Sequence, residues 1–597
     1  MFKRLVVFSA VFALVALIFC LGNAQVPTNP KVVAEPLIVE PGKQGGILRL
    51  VGDRPNSLNP YVDDDFNKIM HAVLLEVNPL NYSVEPGLAE SFEWAPDGRA
   101  LTLTLRNIKF SDGTPFTVED VLFTINDVLL NMEIQSDMLS GLRRKLFMGG
   151  SQMVLKNAEK LDARRVRLNL NMPFGSLLRF PLPQLPILPR HKLADKVKKL
   201  NPNAAPDAFV KAWGLGAKPE DFAGSGPFKI KTLHTNKIVF ERNPFYWKVD
   251  KNKVQLPYVN TFEFSFVQDP KELLGKIRDG EVDIFKFSVD FVNTKIKDAS
   301  ELFSAIEKAG MRFAYRDRGF ENTMLSINQD ATDEALRKVF RDLRFRKAIA
   351  HLIDRGRLVK EALAGFGVPQ DTFISPFSPY FDRQANARFD FSIERAKNLL
   401  DELGLKDTNG DGIRELPNGK PLQIELLITE TNEARVNTAK IIAPIFAEAG
   451  INLVTATAPG QQVSQRINKR PPEYQFLIIS ILGSAISPED FFAFYHSTGP
   501  FHFYKFSDAA GKDVPHYQKR VDEILVQLTI ERDEAKRRAL AVEFQKLTSE
   551  NLPVIWLFSP GFYLVAKPNI GNTSALTTLD AAASLGLLEV LWLRSSF

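Results

Sequence analysis

Cysteine is almost absent: Cys20 is the only one in 597 residues. It stands inside an apolar N-terminal run, so removal of that run leaves no thiol for a disulfide, thiol catalysis or a thiolate metal site. Histidine is scarce too, with seven residues in no metal-binding or catalytic spacing; His496 and His502 merely share an aromatic loop. Tryptophan is held to five residues, whereas phenylalanine reaches 46. Neither sign of charge dominates, because 75 basic residues face 70 acidic ones for a net +5. No basic tract of the nucleic-acid-binding type occurs, and nucleic acid is not an expected partner. P-loop, G-x-G-x-x-G and H-E-x-x-H strings are all missing. Gly224-Ser225-Gly226 lacks the G-x-S-x-G spacing of a nucleophile elbow, and Pro227 follows it, so a tight turn into a strand is expected there.

One long apolar run is present, and only at the start. Lys3 and Arg4 precede Leu5 to Leu21, and Gly22-Asn23-Ala24 supplies a small-x-small exit. A membrane anchor would need about this length. The basic end, the length and the small exit together favour a signal peptide over residues 1–24, cut after Ala24. Bulky Phe19 before Cys20 disfavours a lipid anchor, so an exported, periplasmic or cell-surface protein is expected. Residues 25–44, rich in Pro and Val without periodicity, are read as a linker.

At this length more than one hydrophobic core is required. The stretch from Trp94 to Leu130 shows how the chain is built. Pro96-Asp97-Gly98 makes a turn, and Leu101, Leu103 and Leu105 then alternate with Thr102, Thr104 and Arg106 as in a half-buried strand. A second turn, Ser111 to Pro115, precedes Thr117 and Asp120, spaced as a capping box. Val121, Ile125 and Val128 predict an amphipathic helix after it. Further on, Phe345, Ile349 and Leu352 give a helix its buried face, and Ile393 to Leu403 form another with Gly404 as its stop. Strands such as Ile451 to Val454 alternate with these helices, which indicates α/β architecture.

The string W-x-x-D-G-x-x-x-T-x-x-L-R from Trp94, followed by K-F-S-D-G-T-P-F-T-x-x-D-V from Lys109, resembles a segment of the family 5 extracellular solute-binding proteins. These are the peptide, dipeptide and nickel receptors of ABC importers. Asn56 to Pro60, Gly224 to Lys229, Asn243 to Trp247 and Leu343 to Gly367 are similar to further motifs of the family, in its order. The resemblance implies a class II, cluster C type periplasmic-binding-protein fold with two lobes and a small domain inserted in the first. Lobe I is expected from 45–75, 223–320 and 565–597, the inserted domain from 76–222, and lobe II from 321–564. It implies no enzyme activity, and a monomer that captures a peptide-like solute between its lobes and hands it to a membrane permease. An oligosaccharide or other non-peptide solute is the alternative. A secreted hydrolase would need a nucleophile–base set that the motifs do not supply.

In peptide receptors of the family an Asp after a ligand-lining strand holds the peptide's ammonium. The matching run here is Ser480-Ile481-Leu482-Gly483-Ser484, with Ser484 where the Asp would stand. A neutral hydroxyl forms a weaker bond to a desolvated cation than a carboxylate does, which weakens the case for a free amino terminus as anchor. Glu489 or Asp490 could supply the charge from a shifted position. Phe491, Phe492 and Tyr495 are candidate ligand-facing aromatics, with core packing as the alternative. Asp407, Asn409, Asp411 and Ile413 fall at alternate positions of a calcium-type loop with Gly412 at its sharp turn. Position 12 is Asn418, although Glu415 can contribute, and an Asx- and Gly-stabilised turn is the other reading. No cofactor is required; structural calcium is the one ion this sequence suggests.

Overall fold

The computed structural model of the protein describes residues 39–78, 83–148, 152–179, 181–288, 291–292, 296, 299–316, 321–374, 378–469, 471–482, 487–499, 501–504, 514–573 and 588–594. The expected leader 1–24, Cys20 and most of the expected linker lie outside this set. Among the described residues, no helix is long and apolar enough to cross a membrane.

Two mixed sheets form the frame. The seven-stranded sheet runs in the order Phe228–Leu233, Lys237–Arg242, Thr261–Phe266, Ile47–Gly52, Ile284–Ser288, Phe562–Ala566, Arg312–Arg316. The six-stranded sheet runs Gly367–Pro369, Val554–Pro560, Glu321–Ile327, Phe476–Leu482, Gln423–Thr429, Asn452–Ala458. The last two strands pair in parallel around helix Glu433–Glu448. That is the crossover a parallel pair needs. The chain passes from the first sheet to the second after Arg316 and returns at Gly561, between strands Val554–Pro560 and Phe562–Ala566. The return thus falls a few residues before 565.

A separate four-stranded antiparallel sheet is made by Ala89–Trp94, Ala100–Leu105, Arg165–Leu170 and Leu155–Lys160. Its second strand follows the alternation in the sequence: Leu101, Leu103 and Leu105 are buried and the threonines between them half-buried. Gly98 at the preceding turn has φ +69°, a conformation that a side chain resists. The cap is formed as well. The Asp120 carboxylate accepts from the Thr117 N–H at 2.8 Å and its hydroxyl at 3.0 Å.

The helix after that cap differs from expectation. Only Val118–Leu122 is α-helical, and Phe123–Leu129 widens into a π-helix. Thr124 lies at the junction. Its hydroxyl donates to the Asp120 carbonyl at 2.8 Å and accepts from the Leu188 N–H at 2.9 Å. A side chain that competes for an i−4 carbonyl disturbs the regular ladder. Val121, Ile125 and Val128 still face inward, so the buried stripe survives the change of pitch. Phe345, Ile349 and Leu352 are also fully buried. Ser392 caps helix Ile393–Glu402 by accepting from the Arg395 N–H, and Gly404 follows with φ +78°.

Candidate functional site

Strand Phe476–Leu482 lies inside the six-stranded sheet, antiparallel to Glu321–Ile327 and parallel to Gln423–Thr429. Its hydrophobic first half fills the sheet interior, and its polar C-terminal end is where the candidate site begins. Ser480 is half-buried, with its hydroxyl 2.9 Å from that of Thr323. Ile481 is half-buried and packs on the aromatic cluster around Phe373 and Trp556. Leu482 closes the strand opposite Glu321. Gly483 and Ser484 lie outside the described residues. The next strand over places Asn322 opposite Ile481, with the Gln370 amide donating to its side-chain oxygen at 2.7 Å. Asn322 Nδ2 and Gln370 Oε1 are buried without a partner among the described residues. Hydroxyls and amides line this part of the strand end, and Glu321 stands opposite its last residue.

The chain then turns through Ser487-Pro488-Glu489-Asp490 into a short helical turn. The Ser487 N–H donates to the Asp490 carboxylate at 3.3 Å, a capping bond. Glu489 is ion-paired with Arg537, and their side chains are 6% and 2% exposed. Arg537 also donates to the hydroxyls of Ser487 at 3.1 Å and Tyr380 at 3.2 Å. Burial alone would lower the Arg537 pKa, but the Glu489 carboxylate and Tyr380 hold it above its ordinary value. Arg537 therefore stays protonated, and Glu489 faces its counter-charge inside the protein. A buried ion pair requires this kind of close, fully bonded geometry to persist. Ser176 completes the cluster from the four-stranded-sheet region, donating to Glu489 at 2.9 Å. Arg179 pairs with Glu534 at 2.7 Å nearby, and Arg532 donates to the carbonyls of Ala95 and Pro96.

The aromatic candidates separate. Phe491 and Tyr495 are 2% and 1% exposed and belong to the core with Phe373, Phe494, Phe544 and Trp556. Their packing follows the core alternative: an edge-to-face contact with Phe544 at 5.0 Å occupies the Tyr495 ring, and Phe373 packs edge-to-face with Phe491. Phe492 is half-buried and stacks on His496 at 4.2 Å. The cationic partner of Glu489 was not foreseen. Its signal is Arg537 itself, which sits on the stripe of Ala541, Phe544 and Thr548 that helix Glu534–Asn551 buries.

The calcium-type loop lies between helix Ile393–Glu402 and strand Gln423–Thr429. Carboxylate oxygens of Asp407, Asp411 and Glu415 come within 4.8 Å of one another. Asn409 donates to Asp411 at 3.1 Å, and the Ile413 N–H donates to Asp411 at 2.8 Å. Asn418 instead belongs to the following turn, accepting from the Lys420 N–H. A second acidic group, Asp63, Asp64 and Asp65, lies elsewhere.

Comparison with known proteins places this architecture. The pattern of Bacterial extracellular solute-binding proteins, family 5 Middle, matches residues 83–517. The chain belongs to this family. A periplasmic alpha-galactoside-binding protein of Rhizobium meliloti is 26% identical, over 91% of this chain and 81% of that protein. Among solved structures, an oligopeptide-binding protein OppA aligns with TM-score 0.74 and 22% identity, covering 94% of this chain and 92% of that one. The periplasmic binding protein MelB of Agrobacterium fabrum, in complex with stachyose, aligns with TM-score 0.64 and 22% identity, covering 94% and 86%. These structures share the two-lobed α/β fold. The chain is the substrate-binding component of an ABC importer.

Proposed function

We propose that this receptor captures a neutral, hydroxyl-rich solute, an oligosaccharide of the α-galactoside type, and delivers it to its permease as an exported monomer. The observation that carries the reading is the buried Glu489–Arg537 pair. Glu489 already has its cation in Arg537, and Asp490 is engaged in the cap of the following turn, so the buried acid after the strand is not available to an ammonium group. The polar groups that remain at the strand end, Ser480, Thr323, Asn322 and Gln370, suit hydroxyls. The alpha-galactoside-binding relative and the stachyose-bound neighbour support the same class. The likeness to an oligopeptide-binding protein favours a second reading, a peptide-like solute held by its backbone.

Calorimetric titration separates the two. Raffinose-type galactosides are expected to bind at micromolar or tighter affinity, and free peptides at least a hundredfold more weakly. Losing a buried charged partner typically costs about 3–5 kcal/mol, which removes most micromolar binding. Tight binding of free peptides that acetylation abolishes would overturn the neutral-solute reading.

A further inference from the structure

We propose that the loop Asp407–Glu415 is a structural calcium site, remote from the solute and serving the stability of the six-stranded-sheet half. Three carboxylates converge there, and the chain holds each in place with one set of lone pairs while leaving others free. Asp407 accepts from the N–H groups of Gly410 at 2.7 Å and Gly412 at 2.9 Å. The positive φ of those glycines, +81° and +86°, turns their N–H groups inward, and other residues resist that conformation. Asp411 accepts from the Ile413 N–H at 2.8 Å through one oxygen and from the Asn409 amide through the other. Glu415 accepts from the Thr408 N–H at 2.7 Å and its hydroxyl at 2.8 Å, both through Oε2.

The other oxygen of Glu415 carries the inference beyond an acidic cluster. Glu415 is only 9% exposed, and its Oε1 is buried with no hydrogen-bond partner among the described residues. A buried carboxylate oxygen without a donor is costly, so its position calls for a cation. The basic neighbour does not serve: Arg414 is committed to Asp401 and to the carbonyls of Leu405 and Ala449. No ion pair joins Lys397 or Lys406 to the three acids among the described residues.

The size and chemistry of the gap select the ion. Oxygens bound to one calcium at roughly 2.4 Å lie at most about 4.8 Å apart, which the spacing of 4.8 Å or less satisfies. An all-oxygen set with no His or Cys fits a hard cation, not zinc. A loop that supplies several carboxylates without rigid octahedral geometry favours calcium over magnesium. The ion would tie the end of helix Ile393–Glu402 to the start of strand Gln423–Thr429, where the Glu415 N–H already bonds to the Lys406 carbonyl.

The test is calorimetric titration of the chelator-stripped full-length chain with CaCl₂ alone and with MgCl₂ alone, paired with melting curves in EDTA and in excess calcium. One calcium per chain is expected, with Kd between about 1 µM and 1 mM, the sensor-to-extracellular range. Melting temperature should rise with calcium. Asp411→Asn, an exposed change, should cut calcium affinity at least tenfold, Glu415→Gln should do the same, and Asp63→Asn should leave it unchanged. Absence of binding heat together with identical melting curves overturns the proposal. So does magnesium binding as tight as calcium, or calcium binding lost in Asp63→Asn but kept in Asp411→Asn.

Discussion

Glu489 and Glu415 are both buried glutamates in the half built on the six-stranded sheet, and their surroundings are opposite. Glu489 meets the Arg537 guanidinium and two hydroxyls, from Ser487 and Ser176. Glu415 has its two donors on one oxygen and, among the described residues, none on the other. A buried carboxylate with a built-in cation is closed to outside charge; one without a cation is open to it. On the two proposed readings, the same residue type closes one site to a ligand's ammonium and opens another to a metal ion. The difference is decided by what packs beside each carboxylate, which side-chain identity alone does not reveal.

The strongest way to break the comparison is to remove the cation. Arg537→Met leaves Glu489 buried without its counter-charge, which should cost about 3–5 kcal/mol and lower the melting temperature by roughly 10 °C. Adding Glu489→Gln should restore most of that loss, because the stranded charge is then gone. Differential scanning calorimetry of the two single variants and the double variant decides this. If the single Arg537→Met variant melts like the wild type, Glu489 has another partner and the neutral-site argument fails.

What could be read from sequence follows the range of each interaction. The Leu101–Leu105 alternation, the Thr117–Asp120 cap and the Asp407 loop are local, and residues within a few positions of one another dictate them. Arg537 and Glu489 are 48 positions apart, and Ser176 and Glu489 are 313 apart. No periodicity connects them, so Glu489 read as a free acid until the helix carrying Arg537 was placed. Phe491 and Tyr495 show a different limit. An aromatic run has the same composition whether its rings meet a solute or each other, and only the presence of Phe373, Phe544 and Trp556 decides. The π-helical turn was hidden for a third reason. It depends on Thr124 reaching the Asp120 carbonyl and the Leu188 N–H, the second of which lies far along the chain.

A third buried group sharpens the contrast, because it has no partner but can shed its charge. His71 is 4% exposed and stacks on Trp213 at 5.6 Å, and neither ring nitrogen has a partner among the described residues. Burial pushes its pKa down to about 3, so it is neutral in the fold at pH 7. In the unfolded chain it takes up a proton near pH 6.5. Between these values the unfolded state binds more protons, so stability is present above pH 6.5 and is lost progressively as pH falls toward 3. By pH 5 the loss should be about 2 kcal/mol. His71→Phe keeps the stacking and removes the titration. Its melting temperature should fall less than the wild type's between pH 7 and pH 5; equal falls would place the acid sensitivity elsewhere.

The smallest expected effect tests what surrounds the closed carboxylate. Ser176 comes from the four-stranded-sheet region, is 3% exposed, and donates to Glu489 at 2.9 Å. Ser176→Ala removes one donor while Arg537 keeps the carboxylate neutralised, so the cost should be about 1 kcal/mol, far below that of Arg537→Met. Arg179–Glu534 and the Arg532 contacts to Ala95 and Pro96 link the same two regions, so Ser176 is one of several ties across this junction. A solute bound between lobes draws such surfaces together, and a tie present only in the drawn-together state contributes to solute affinity. Ser176→Ala is therefore expected to weaken solute binding about fivefold, the equivalent of roughly 1 kcal/mol, and to leave the melting temperature of the solute-free protein within about 1–2 °C. Calorimetric affinity and solute-free melting, measured on the same preparation, separate the outcomes. An unchanged affinity with a lowered solute-free melting temperature would make the contact a permanent part of the frame.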